Sequence, residues 1–363
     1  MRRIALRTLP VLFIAAVALA SAQDQSFVDA EGRSVTLQPG HPSLKPWLLP
    51  ADIPAPEGNR ITPERVALGE MLFFDARLSV HGQTSCASCH APERGWGDGF
   101  PGSMRFMGER MARNSPTVVN VAFNSLHMWD GRNRTLEQQA VGSQSMTGSL
   151  NAGARELGIV DGNLGIERIR RIAGYAEAFG KAYPGEPIDK NTVGKAIATF
   201  ERSLVSRDTP FDRWARGDAT AMTPAQVNGL RVFLDPAKGN CSGCHAAPTF
   251  TDNGFHNVGL RQWGEANADV GRFKERALPL MKGAFRTPPL REVAHSAPYF
   301  HDGSVARLAD VIEHYVRGGD VRTNLSPNMK PLALSEGEKA DLLAFLQALS
   351  TPYVPYEVPR LPR

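Results

Sequence analysis

The chain has 363 residues, 42% of them hydrophobic, with 41 lysines and arginines against 37 aspartates and glutamates. That length implies about two domains and enough apolar material for a sizeable core. Three of the four net positive charges are Arg2, Arg3 and Arg7; the near-neutral remainder, without a basic stripe interleaved with aromatics, excludes nucleic acid as the partner.

The three arginines precede an apolar run from Leu9 to Ala20, and Ala20-Ser21-Ala22 fits a cleavage site before Gln23. This predicts a cleaved signal peptide over residues 1–22 and export to the periplasm. The run is short for a membrane span and no later stretch could cross a bilayer, so no stable membrane insertion is expected, with an uncleaved anchor as the other reading of the run. Residues 23–60, rich in Pro and Gly with few apolar runs, read as an extended leader. "TPERVALGEMLFFD" then predicts a helix with Thr62 as N-cap and Pro63 in the first turn, where its missing N–H costs nothing. "TPAQVNGLRVFLD" repeats the pattern, with Thr223 and Gln226 as a capping box.

Each of these helices leads through a short polar loop to "SCASCH" or "NCSGCH". Further on, "GKAIATFERSL" spaces Ile197, Phe200 and Leu204 for one helical face. "EKADLLAFLQAL" does the same with Leu342, Phe345 and Leu349, behind Ser335 and Glu338. The unit of helix, C-x-x-C-H, long loop and helix therefore occurs twice. Its halves are residues 61–205 and 223–350, with 206–222 as linker and 351–363 as tail.

The four cysteines are Cys86, Cys89, Cys241 and Cys244, and each pair is followed at once by His90 or His245. Exported cysteines ordinarily suggest disulfides. Here the spacing suits covalent haem attachment, two thiols reaching the vinyl groups and the adjacent imidazole reaching the iron. Zinc would need two further ligands, and a redox dithiol needs no histidine. The expectation is an all-α protein of two tandem c-type cytochrome domains, each with one covalently attached haem.

The stretches "LGEMLFFDARLS", "SCASCH", "RNSPTVVNVAFN", "MWDGRNRTLEQQA", "NCSGCH", "FRTPPLREV" and "APYFHDG" resemble, in order, the bacterial di-haem cytochrome c peroxidase family. The resemblance implies reduction of hydrogen peroxide at the N-terminal haem, with the C-terminal haem passing electrons to it. It implies His90 and His245 as proximal ligands, Trp129 as a relay between the haems, Gln139 in the distal pocket and His301 beside the haems. It also implies a calcium ion held by the Asn114 side chain and the carbonyls of Ser296 and Pro298. Arg286 and Arg291 suit haem propionates, since guanidinium matches carboxylate geometry. Read alone, Trp129 also fits a core indole and Asn114 a turn residue.

Three departures place the chain near the MauG-like branch. Phe106 stands where peroxidases of the family carry a distal histidine, with Met104, Met107 and Met111 nearby; these read as core filler or as iron ligands. Tyr315 stands where those peroxidases have a methionine ligand, as in the MauG-like branch, with His314 and Met329 as rivals. A phenolate would favour ferric iron. The family's peroxide-handling glutamate aligns with Ser149 ungapped, or with Glu156 if the loop is longer; Glu156 also reads as a solvated acid. Electrons would come from a small periplasmic cytochrome c or cupredoxin, or from a protein substrate. Gly239 replaces the surface tryptophan used on methylamine dehydrogenase, which counts against that substrate. A non-catalytic electron carrier with both irons six-coordinate is the other reading. Monomer and homodimer are both open.

Overall fold

The computed structural model describes residues 26–29, 32–104, 106–142 and 163–363. Its helices are α1 (Pro63–Phe74), α2 (Leu136–Val141), α3 (Leu164–Arg170), α4 (Ala173–Ala182), α5 (Lys190–Ser203), α6 (Pro210–Ala215), α7 (Pro224–Leu234), α8 (Leu308–Arg317) and α9 (Glu336–Ala348). Strands among the described residues are confined to two short antiparallel pairs, β1 (Ser26–Val28) with β2 (Ser34–Thr36) and β3 (Phe255–His256) with β4 (Phe285–Arg286).

The expected caps are present. Thr62 Oγ1 accepts from Arg65 N, and Thr223 with Gln226 and Ser335 with Glu338 close reciprocal capping boxes. Each repeat then crosses its two helices at a glycine. A Cβ on Gly69 of α1 would lie 1.9 Å from the Ala196 carbonyl of α5, and one on Gly229 of α7 would lie 1.9 Å from the Asp341 carbonyl of α9. Those approaches seat Phe73 against Phe200 at 5.2 Å and Phe233 against Phe345 at 5.2 Å. Two hydrophobic cores result, the first around Leu68, Leu72, Phe73, Ile197 and Phe200, the second around Leu230, Phe233, Leu342, Phe345 and Leu349.

Residues of the three segments read as leader, linker and tail join these cores. Val35, Leu44 and Trp47, from the supposed leader, are buried in the second core, with the Trp47 ring 5.0 Å from that of Phe250. The linker folds as α6, capped by Thr209, and adds Phe211 and Trp214 to the same core. The tail returns to the first core, where Tyr356 packs on Phe74 and Trp96. The apolar anchors in these stretches are single residues among prolines and polar groups, so no helical or strand period marks them. No helix among the described residues is long and apolar enough to cross a membrane.

Candidate functional site

Both C-x-x-C-H segments fold as one tight 3-10 turn, Cys86–Ser88 and Cys241–Gly243. The histidine amide then returns to the first cysteine carbonyl, His90 to Cys86 at 3.0 Å and His245 to Cys241 at 2.8 Å. Each ring is held the same way: His90 Nδ1 donates to the Trp96 carbonyl at 3.1 Å, and His245 Nδ1 donates to the Phe250 carbonyl at 2.8 Å. Trp96 and Phe250 both adopt the left-handed backbone region, at φ 62° and 59°, which bulky residues seldom occupy. A carbonyl can only accept, so Nδ1 carries the proton and the lone pair sits on Nε2, the atom a metal would take. Burial depresses the basicity of both imidazoles, which favours this neutral form. No disulfide joins the four cysteines, and Cys86 and Cys241 are held beside the histidines by their shared turns.

Each motif opens on its own cavity. The first, of about 550 Å³, is lined by Cys86, Cys89, His90, Met111, Gln139 and Glu201. The second, of about 230 Å³, is lined by Cys241, Cys244, His245, His301, Tyr315 and Met329. Asn114, Pro116, Thr117, Trp129 and Arg286 line both, so one wall separates the two spaces. Trp129 is pinned in that wall by Nε1 donating to the Asn114 carbonyl at 2.9 Å and by its own carbonyl accepting from Arg286 N at 2.8 Å.

Arg286 is buried, its Nη1 reaches the Thr287 carbonyl at 3.3 Å, and its Nε has no protein partner. Burial lowers its pKa to about 10, and a buried cation of this kind is stabilised by an anionic partner. Arg291 differs from expectation. Its guanidinium is spent within the protein, on Asp212 at 2.8 Å and on the carbonyls of Trp47 and Pro248, and it lines neither cavity. The pairing was invisible in sequence because Asp212 lies in the segment read as a linker.

His301 stacks on Phe285 at 3.4 Å and meets the Trp129 ring edge-on at 6.4 Å. Burial lowers it to about 4, and its Nε2 has no partner. Asn114 donates from Nδ2 to the Phe100 carbonyl at 2.8 Å, which leaves its Oδ1 as the available ligand atom; Ser296 and Pro298 line the second cavity with it.

The rivals for the second cavity separate by direction. Tyr315 lines it, and burial raises its phenol, whereas His314, one residue earlier on α8, points away and engages the Val258 carbonyl through Nε2 at 2.8 Å. Met329 also lines the cavity. At the first cavity, Phe106 is not on the wall; it stacks on His81 at 3.9 Å. Met104 is 40% exposed, while Met111 reaches the wall. Ser149, Glu156 and the Met107 side chain lie outside the described residues.

Glu201 was not singled out in the sequence. It is 3% exposed on the first cavity's wall, its Oε2 has no partner, and burial raises its pKa to about 8. A signal was present: Glu201 follows Ile197 by four residues and so falls on the buried face of "TFERSL". Gln139 Oε1, Glu201 Oε2, Arg286 Nε and His301 Nε2 are thus polar atoms left open on these walls. Walls in that condition fit a bound group that supplies the missing partners.

The methylamine utilization protein MauG of Methylorubrum extorquens is 40% identical over 316 residues, 86% of each chain. The chain belongs to the di-haem cytochrome c peroxidase family. A profile described as di-haem cytochrome c peroxidase matches residues 63–220. The cytochrome c551 peroxidase of Pseudomonas aeruginosa is 32% identical over 320 residues, 86% of each chain. Among solved structures, a MauG-like protein associated with microbial copper homeostasis superposes with a TM-score of 0.74 at 32% identity, covering 84% of this chain and 95% of that one. Membership of this di-haem family implies c-type haem as the bound group, and the open polar atoms of both walls suit it.

Proposed function

We propose that this chain is an exported periplasmic di-haem oxidoreductase that reduces hydrogen peroxide at the first cavity and draws electrons through the second. The observation carrying this reading is the pair of C-x-x-C-H cavities that share Trp129 in one wall. Cys86 and Cys89, and Cys241 and Cys244, would hold the two haems by thioether bonds, with His90 and His245 binding through their free Nε2. When bound there, the haem would supply the redox chemistry by which two donor electrons and two protons convert peroxide to two waters.

The chain's residues do the rest. Gln139 offers its open Oε1 to orient whatever enters the first cavity. Glu156 takes the proton from the inner peroxide oxygen and returns one to the outer, the task of a distal carboxyl. Trp129 fills the shared wall with a polarisable ring, and Arg286, in the same wall, would neutralise propionate charge. Tyr315 presents a phenol to the second cavity, where it would ligate the iron as an anionic donor suited to the oxidised state. Asn114, with Ser296 and Pro298, offers oxygen atoms that suit a calcium ion. The donor is a small cytochrome c or cupredoxin, or an oxidisable protein side chain.

Rapid mixing with peroxide tests this reading. An immediate absorption change is expected in the wild type and in Cys241→Ser/Cys244→Ser, and none in Cys86→Ser/Cys89→Ser. A first centre inert to peroxide would leave the electron-carrier reading, for which Met111 on the first wall is the available closing ligand.

A further inference from the structure

Tyr356, in the tail, lies against the first lobe rather than trailing from the second. Its ring meets Trp96 edge-on at 4.9 Å and stacks on Phe74 at 5.6 Å, and its hydroxyl donates to Glu70 Oε1 at 2.5 Å. Trp96 in turn supplies the carbonyl that fixes His90. Phe73 bridges the two rings, 6.0 Å from Trp96 and 6.5 Å from His90. Aromatic contact is therefore continuous from the imidazole facing the first cavity to a half-buried phenol near the surface.

Packing alone does not account for this choice of residues. Phenylalanines at 96 and 356 would fill similar space, whereas indole and phenol are the two aromatic side chains that give up an electron under strongly oxidising conditions. A lone hydrophobic contact also gives no reason for a carboxylate on the phenol. We propose that Trp96 and Tyr356 form an oxidisable exit from the first cavity to the protein surface, with Glu70 accepting the tyrosine's proton; this rests on the peroxide-reducing reading above.

The steps balance. Trp96 gives one electron to the peroxide-generated oxidising equivalent and becomes a radical cation. Tyr356 passes one electron to Trp96 while its phenolic proton crosses to Glu70, leaving neutral Trp96, a neutral tyrosyl radical and a protonated Glu70. An external one-electron donor at the surface then reduces the radical, and the proton returns from Glu70. Burial and the Glu70 charge keep the Tyr356 phenol protonated at neutral pH, so loss of its electron requires a proton acceptor already in contact. The route drains the first centre when no donor protein is docked, and it does not pass through Trp129.

The test is freeze-quench electron paramagnetic resonance after equimolar peroxide without reductant, on holoprotein carrying ring-deuterated tyrosine. The expected result is a tyrosyl signal that narrows on deuteration and vanishes in Tyr356→Phe and in Trp96→Phe. Glu70→Gln should slow its appearance and leave a tryptophan radical in its place. Peptide mapping should find oxygen addition at Trp96 and Tyr356 after excess peroxide. A normal peroxide-induced absorption change with a radical unaltered in Tyr356→Phe would overturn the exit alone. No absorption change in the wild type would overturn the exit and the peroxide reading together.

Discussion

Trp129 and Asn114 are joined by a 2.9 Å hydrogen bond from the indole Nε1 to the Asn114 carbonyl, and both residues line both cavities. The bond fixes the ring plane in the partition without using the Asn114 side chain. Replacing Trp129 by Phe keeps an aromatic ring but removes the donor and part of the bridging surface. The expected outcome is slower redox equilibration between the two centres, read by following both absorption bands after rapid mixing, with unchanged resting spectra.

Tyr315→Phe should leave both haems attached, because the thiols and His245 are untouched, while raising the second centre's reduction potential. Loss of an anionic oxygen donor disfavours the ferric state. Spectroelectrochemical titration reads this directly, and an unchanged potential would return Met329, on the same wall, as the ligand to consider.

Glu201 makes stability fall as pH rises. Its carboxyl titrates near 8 in the fold against 4.5 ordinarily, chiefly from burial, with Glu137 adding to the shift and Arg202 opposing it. Between those values the folded chain holds a proton that the unfolded chain has released. The contribution is therefore complete below pH 4.5 and lost progressively up to about 8. Glu201→Gln should flatten this slope and be on the order of 2–4 kcal/mol more stable than wild type above pH 8, relative to their difference at pH 4. Urea unfolding at a series of pH values checks it.

Arg291 and Asp212 form a fully buried ion pair, with side-chain exposures of 0% and 1%. Arg291→Met should cost about 3–5 kcal/mol, because Asp212 is left charged and buried. Adding Asp212→Asn should recover part of that loss, since the amide oxygen can still accept from Thr209, whose N–H and hydroxyl both reach Asp212 Oδ2. Denaturant midpoints of the single and double variants give the comparison.

The helices carrying the repeat were legible because their signals are local: Thr62, Thr223 and Ser335 cap, and Ile197, Phe200, Leu342 and Phe345 recur at helical spacing. The two histidines were legible because their thiols adjoin them in sequence. What stayed hidden depends on contacts between distant residues. Trp47 caps a core nearly two hundred residues away, Arg291 is claimed by Asp212 and Trp47, and Tyr356 crosses to Glu70. Glu201 was hidden differently: helical period places it inward, yet a charge is read as solvent-facing unless its face is counted.

The resting electron paramagnetic resonance spectrum of the purified holoprotein distinguishes an open first iron centre from a closed one. One high-spin ferric signal, lost when Cys86 and Cys89 are replaced by serine, is expected beside one low-spin signal altered by Tyr315→Phe. Two low-spin signals, neither changed by adding peroxide, would contradict an open first centre.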